Sequence, residues 1–209
     1  MSTPHIYAIY DRSTHNDDGL DTVEAVLAAG IDWIQYRDKR GQGPDRALAL
    51  RLSERCRAYD ARLIINDDWR LAAELGVGVH LGATDGSIAD ARAALGPDRL
   101  IGATCGNDID RARRAIAAGA DHVSFGRFFV SATKPNAPPA ELDVLARANA
   151  LGVPVVAIGG IDIHNAGQII AAGADRLAIA GGLFGVRDSA QAARALVALC
   201  AEHGSRAGR

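Results

Sequence analysis

The sequence predicts a single-domain (β/α)8 barrel, a TIM barrel of the α/β class. Three observations predict it: a recurring helix-to-strand phrase, a tally of about eight strand-like runs, and a length that leaves little for a second domain. The phrase occurs as "AAGIDWIQY", "ELGVGVHLG", "AAGADHVSFG", "ALGVPVVAIGG" and "AAGADRLAIAGG". Each copy reads as a helix end rich in good helix formers, then a glycine suited to the position just past a helix, then a run of β-branched and aliphatic residues. The glycines are Gly30, Gly76, Gly119, Gly152 and Gly173, with a further joint near Gly96 before "DRLIGATCG".

In chain order the predicted strands are 5–11, 31–37, 62–66, 77–81, 99–104, 121–127, 153–158 and 175–180. Strands that alternate with helices call for a parallel sheet, and eight of them close on themselves. An open doubly wound sheet is the alternative fold, but no GxGxxG follows the first strand. The 209 residues lie near the lower limit of about 200 for such a barrel, so residues 1–209 make one domain. Long loops are expected at 10–19 and 130–140, and the tail "EHGSRAGR" is expected to fray from about residue 203.

Composition narrows the function classes. With 48% hydrophobic residues, 5% aromatic residues and a formal net charge of -2, the chain has a sizeable core and no basic stripe for nucleic acid. The N-terminus lacks a basic region followed by an apolar run, and no stretch is long enough to span a membrane, so a cytoplasmic location is expected. Cys56, Cys105 and Cys200 lie far apart and form no CxxC pair; they read as packing residues. Small-molecule substrates are the expected partners.

Reacting groups in this fold stand where strands run out into the loops that follow. In "DWIQYRDKR", Gln35, Arg37 and Lys39 occupy alternate positions and share one face, toward the barrel mouth, while Ile34 and Tyr36 pack under the helices. Two cations side by side repel unless an anionic ligand with several charges lies between them. A solvated strand end is the plainer alternative. The next strand end, "INDD", offers Asn66, Asp67 and Asp68, and the one after it offers Asp85 in "HLGATDG". Asp67 and Asp85, on neighbouring strand ends, suit one Mg²⁺, which takes one or two protein carboxylates plus phosphate oxygens. Either Asp67 or Asp68 could instead cap the following helix.

Thr104 and Asn107 follow at the fifth strand, and "FFVSATKPNAPP" after the sixth supplies Ser131, Thr133 and Lys134. Lys134 can reach a diphosphate as a point charge. Gly159 and Gly160 in "AIGGID", with Ala180, Gly181 and Gly182 after the last strand, suit a second phosphate, because barrels often hold one between those two loops. His80, in an otherwise apolar strand, reads as a core histidine rather than a general base, and His122 begins its strand at the end away from the chemistry. No Ser-His-Asp or Cys-His constellation can be assembled.

These motifs, in this order, resemble the thiamine-phosphate synthase family: "YAIYD", "IQYRDK", "INDDWRLAAELGVGVHLGATD", "IGATCGN", "GADHVSFGRFFVSATKP", "VPVVAIGGI" and "GADRLAIAGGLF". The resemblance covers nearly the whole chain. It implies Mg²⁺-dependent coupling of hydroxymethylpyrimidine diphosphate with thiazole phosphate, through a pyrimidine cation formed by C–O dissociation. By resemblance, Arg37, Lys39, Asn66 and Lys134 hold the diphosphate, Asp67 and Asp85 bind Mg²⁺, and Gln35 contacts the pyrimidine. Ser131 and Thr133, with Gly160 and the Ala180–Gly181 backbone, match the thiazole-phosphate site.

The chain departs from the commonest pattern at four positions. Thr104 replaces a serine, Gly106 a histidine, Ala83 a glutamine, and Gly181 a serine near the phosphate. A related thiazole tautomerase is one rival reading, but the histidine it uses would fall at Gly106. A non-catalytic phosphate-binding barrel is the other, and it would need neither Asp67, Asp85 nor Lys134.

Overall fold

The computed structural model describes residues 5–14, 19–41, 43–130 and 138–207, with side chains described to residue 204. Among the described residues the strands are β1 (His5–Asp11), β2 (Trp33–Arg37), β3 (Arg62–Asn66), β4 (Gly78–Leu81), β5 (Ile101–Gly106), β6 (His122–Phe125), β7 (Val155–Ile158) and β8 (Arg176–Ile179). They pair in parallel in the order β1 to β8, and β8 returns to β1 through His5↔Arg176 and Ala8↔Ile179, which closes the barrel. The helices are α1 (Leu20–Ala28), α2 (Arg46–Ala58), α3 (Trp69–Leu75), α4 (Ile88–Leu95), α5 (Ile109–Ala117), α6 (Asp143–Ala148), α7 (Ala166–Ala171), α8 (Gly181–Phe184) and α9 (Ser189–Ala207). The expected barrel is therefore the observed fold. α9 runs past residue 203, where fraying is expected, on a helix-favouring composition and with the Nδ1 of His203 2.9 Å from the Leu199 carbonyl oxygen.

Period-two alternation builds two cores. Ile34, Tyr36, Leu63, Ile65, Val123 and Phe125 face outward into a continuous layer beneath the helices. Tyr7, Ile9, Trp33, Ile64, Val156 and Ala178 form a second, smaller cluster inside the barrel. The outer layer is the larger hydrophobic contribution, at about 1.5–3 kcal/mol for each fully buried Leu, Ile or Phe. Burial also pushes the thiols of Cys56 and Cys105 up to about 12 and that of Cys200 up to about 11, so all three are inert packing groups at neutral pH.

Polar side chains in the strand-to-helix connections cap the helices that follow, right behind the strand at Asp68 and Asp108 and after longer turns at Asp45 and Ser87. Asp45 accepts from the N–H groups of Ala47 and Leu48, Asp68 from Leu71, Ser87 from Asp90 and Asp108 from Arg111. At the other end of the helices, Gly30, Gly76, Gly119, Gly152 and Gly173 all take positive φ, as the recurring phrase predicts.

The aspartate in that phrase has its own task. Asp121 accepts from the Ile101 N–H at 2.7 Å and Asp175 from the Val155 N–H at 2.8 Å, so each ties the start of its own strand to the strand before it. Asp32 instead holds Arg176 in a two-pronged pair at 2.8 and 2.9 Å, and the guanidinium lies 3.7 Å over the Trp33 ring. Burial alone would raise the Asp32 carboxyl, but Arg176 outweighs it and holds the group below its ordinary value. Trp33 and Arg176 thus floor the barrel at the ends where the strands begin.

Arg92 of α4 links several elements. It donates to the carbonyls of Gly96, Arg99 and Gly119 and to Asp121 at 2.5 Å. We expect Arg92→Ala to lower the unfolding free energy by about 2–3 kcal/mol, since several partly buried acceptors lose their donor at once. Arg113→Ala, which removes an exposed pair with Asp110, should change it by less than about 0.5 kcal/mol. Urea denaturation of the two variants checks both values.

Candidate active site

Gln35 is buried inside the barrel, and its Nε2 donates to the Tyr7 hydroxyl at 2.7 Å. That bond uses one amide hydrogen and leaves the carbonyl end of Gln35 its accepting capacity for other groups. Two residues further along the same face, Arg37 pairs with Asp11 at the end of β1, its register partner. Asp11 is buried at 3% exposure and also accepts from the Ser13 N–H and hydroxyl. Arg37 is thereby held from behind, and Asp11 is a residue that sequence reasoning misses. Lys39 lies further out, about half exposed, with its Nζ 2.5 Å from Asp67. Gln35 and Arg37 take alternate positions within β2, as expected, whereas Lys39 lies past the strand's end beside Asp67.

At the end of β3 the two aspartates divide their tasks. Asp68 takes the capping role on α3, accepting from Leu71 at 3.0 Å. Asp67 takes a left-handed backbone, φ 68°, which aspartate tolerates better than most residues. Its N–H donates to the His80 carbonyl at 2.9 Å and its carboxylate accepts from the Asn66 amide at 2.6 Å. Asp85 accepts from the Gly82 N–H at 3.0 Å. Its carboxyl titrates above its ordinary value, first because it is partly desolvated and then because Asp67 faces it, with Lys39 acting in the opposite direction. Two carboxyl groups brought together this way repel in the ligand-free protein.

Thr104 lies within β5 rather than after it, where the register shifts between Thr104 and Gly106. Its hydroxyl is 3.0 Å from the Nε2 of His80, so His80 is a satisfied core histidine, as expected, and also touches a candidate ligand group. His122 is not peripheral. It is fully buried with its Nε2 3.3 Å from the Nδ1 of His80, because the first residue of β6 points into the barrel. Only the cross-strand register brings the two rings together, and sequence spacing carries no trace of it.

Gly160 has φ 63°, and a Cβ there would stand 2.3 Å from the Val130 carbonyl oxygen. The close approach seats the β7 turn against residues 126–130, with Phe129 N–H donating to the Gly159 carbonyl at 3.0 Å. Gly182 likewise leaves no room for a Cβ, which would meet the Ile161 carbonyl at 2.7 Å, so the turns after β7 and β8 lie together. Ala180 is the N-cap residue of α8, and Gly181 has open space where a side chain would be. Ser131, Thr133 and Lys134 lie outside the described residues.

Asp85→Asn keeps the acceptor for Gly82 and removes the repulsion with Asp67. We expect it to raise stability at pH 7. An acid whose folded pKa lies above its unfolded one weakens the fold once ionised, so the gain should shrink as pH falls through the raised value. It should vanish below the ordinary value of 3.8. Urea midpoints of both proteins from pH 3 to pH 7 check the sign.

The family model described as thiamine monophosphate synthase matches residues 6–183. The chain is 50% identical over 195 residues to the thiamine-phosphate synthase of Marinobacter nauticus, covering 92% of this chain and 88% of that one. It is 49% identical over 191 residues to that of Methylobacillus flagellatus, with 90% and 91% covered. The solved structure of thiamine phosphate pyrophosphorylase from Pyrococcus furiosus superposes with a TM-score of 0.82 at 25% identity, over 97% of this chain and 98% of that one. The side chains gathered at this barrel mouth therefore stand in a shared framework, and the chain belongs to the thiamine monophosphate synthase family.

Proposed function

We propose that this protein is a thiamine-phosphate synthase, a transferase that joins hydroxymethylpyrimidine diphosphate to thiazole phosphate and releases diphosphate. The observation that carries the reading is the convergence of Arg37, Lys39 and Asn66 with the facing carboxylates of Asp67 and Asp85 at one barrel mouth. Binding a single phosphate would need no such set. The family match and relatives at about half identity support the same activity.

The donor set suits Mg²⁺. Two carboxylates whose repulsion a cation would relieve are what this ion takes from a protein when phosphate oxygens complete its shell. Asp67 and Asp85 would hold it, and when bound it neutralises charge on the diphosphate as that group departs. Among the described residues no cluster of three or more metal-ligating side chains competes with them.

The chain's own groups account for the rest. Lys39 is held by Asp67 and Arg37 by Asp11, so both cations are near the mouth before any ligand arrives. Lys39 can turn from Asp67 to a diphosphate oxygen, while Asp11 keeps Arg37 directed. Lys134 would add a third positive charge on the leaving group. Gln35, its amide oriented by Tyr7, meets the pyrimidine deeper in the barrel. The aminopyrimidine supports positive charge at its methylene carbon, so the C–O bond can break first, with the bonding pair leaving on the diphosphate. The thiazole nitrogen then donates its lone pair to that carbon. No protein nucleophile is required, and the protein's task is charge stabilisation and close positioning before water intervenes. The thiazole phosphate would lie against Thr133, Ser131 and the turns bearing Gly160, Ala180 and Gly181.

Among the described residues no helix is long and apolar enough to cross a membrane. The test is diphosphate release from the pyrimidine substrate with and without Mg²⁺ and thiazole phosphate, followed by detection of thiamine phosphate. Release that needs all three supports the proposal; no release, with tight binding of thiazole phosphate alone, would refute it. Asp67→Asn, which keeps the left-handed backbone, and Lys134→Ala should each lower kcat by at least about a hundredfold, as losses of charge stabilisation do. Gly160→Val should chiefly raise KM for the thiazole phosphate by displacing the 126–130 segment, and Arg37→Ala should chiefly impair use of the diphosphate.

A further inference from the structure

Across β4, β5 and β6, His80, Gly102 and His122 occupy one row of register partners. Gly102 is the spacer that lets the histidines meet. A Cβ there would stand 2.1 Å from the Nε2 of His122 and 2.3 Å from the Nδ1 of His80, the two atoms that face each other at 3.3 Å. On its other side the His80 ring presents Nε2 to the Thr104 hydroxyl at 3.0 Å and to the Ser124 hydroxyl at 3.3 Å. The chain His122, His80, Thr104 runs from the barrel's interior toward the mouth.

Such a chain has two possible polarities, and both of its ends select the same one. At the inner end, the Nδ1 of His122 is buried with no hydrogen-bond partner among the described residues, packed near the rings of Tyr7 and Trp33. A buried N–H without an acceptor is rarer and costlier than a lone pair without a donor. The proton of neutral His122 therefore belongs on Nε2, where His80 receives it. At the outer end, the Ser124 hydroxyl hydrogen goes to the Ala103 carbonyl at 3.4 Å, so Ser124 meets the His80 Nε2 as an acceptor. His80 must then carry its own proton on Nε2. Burial, with His80 and Arg176 nearby, keeps the His122 pKa well below its ordinary value, so the ring stays neutral and the polarity holds.

We propose that His122, reaching His80 through the gap left by Gly102, fixes His80 as its Nε2–H tautomer so that Thr104 accepts from His80 and turns its own hydroxyl proton toward the bound substrate. Thr104 then keeps its hydroxyl proton for a ligand acceptor, a proton that the other His80 tautomer would consume. His122 and His80 are positioning residues. The inference rests on the reading of Thr104 as a substrate contact, but the tautomers exist without substrate and can be read in the ligand-free protein.

Long-range ¹H–¹⁵N correlation spectra of the full chain labelled at histidine report each ring's tautomer. Both His80 and His122 should appear as Nε2–H forms. A His80 that is protonated at Nδ1 instead would overturn the proposal, whatever reaction the protein catalyses. His122→Phe keeps a ring and removes the donor, so His80 should become a mixture of tautomers. KM for the substrate that Thr104→Val affects should rise up to about tenfold, the value of one hydrogen bond. In a Thr104→Val background the same change should have no further effect on that KM. His122→Gln restores an N–H near Nε2 and should recover the His80 tautomer and most of the lost affinity. An unchanged His80 tautomer in His122→Phe would remove His122 from the relay. If that variant does not fold, Gly102→Ala, which drives the rings apart, decides the same point. If the wild type makes no thiamine phosphate, the function is wrong, and the spectra still judge the relay.

Discussion

Closing the sheet on itself sends every second strand residue into a space walled on all sides, where a polar group either finds a partner or costs free energy. This constraint organises the protein. Tyr7 answers Gln35, Asp11 answers Arg37, and His122, Ser124 and Thr104 answer His80. Where the strands begin, Trp33 and Arg176 complete the interior, with Asp32 securing the guanidinium from outside. The interior thus runs from a floor of Trp33 under the Arg176–Asp32 pair to a mouth of several charges, and the candidate ligand-binding residues rest on a layer whose hydrogen bonds are already made.

Electrostatics at the mouth are arranged by pairing rather than by excess. Lys39 stands against Asp67, and Asp67 in turn faces Asp85, so one carboxylate is shared between a cation and a rival anion. The left-handed turn at Asp67 and the capping of α3 by Asp68 make that sharing possible, since adjacent aspartates are sent to different duties. The ligand-free state holds its charges in a compromise that an incoming anion and cation would resolve together.

Much of this was legible in the sequence, for a physical reason. The barrel is written in local signals: glycines that need positive φ after helices, and strands whose alternation survives in the text. Gln35, Arg37, Lys39, Asn66, Asp67 and Asp85 were legible because they share strand faces or stand at strand ends. Strand limits were less so; the run expected at 121–127 is the shorter β6, since pairing rather than composition ends a strand. Asp11, Tyr7 and His122 were not legible, because their importance lies in partners 26, 28 and 42 residues away. The aspartates of the recurring phrase were visible, yet their duty toward the preceding strand appears only once the register is known.

The floor made by Trp33 and Arg176 has a geometric corollary. A chamber closed at one end has a single doorway, so the part of a ligand that seats beside Gln35 would go in ahead of the part that spans Arg37 and Lys39 and come out behind it. The orientation of such a ligand would then be a property of depth, set by two side chains at the far end of the chamber.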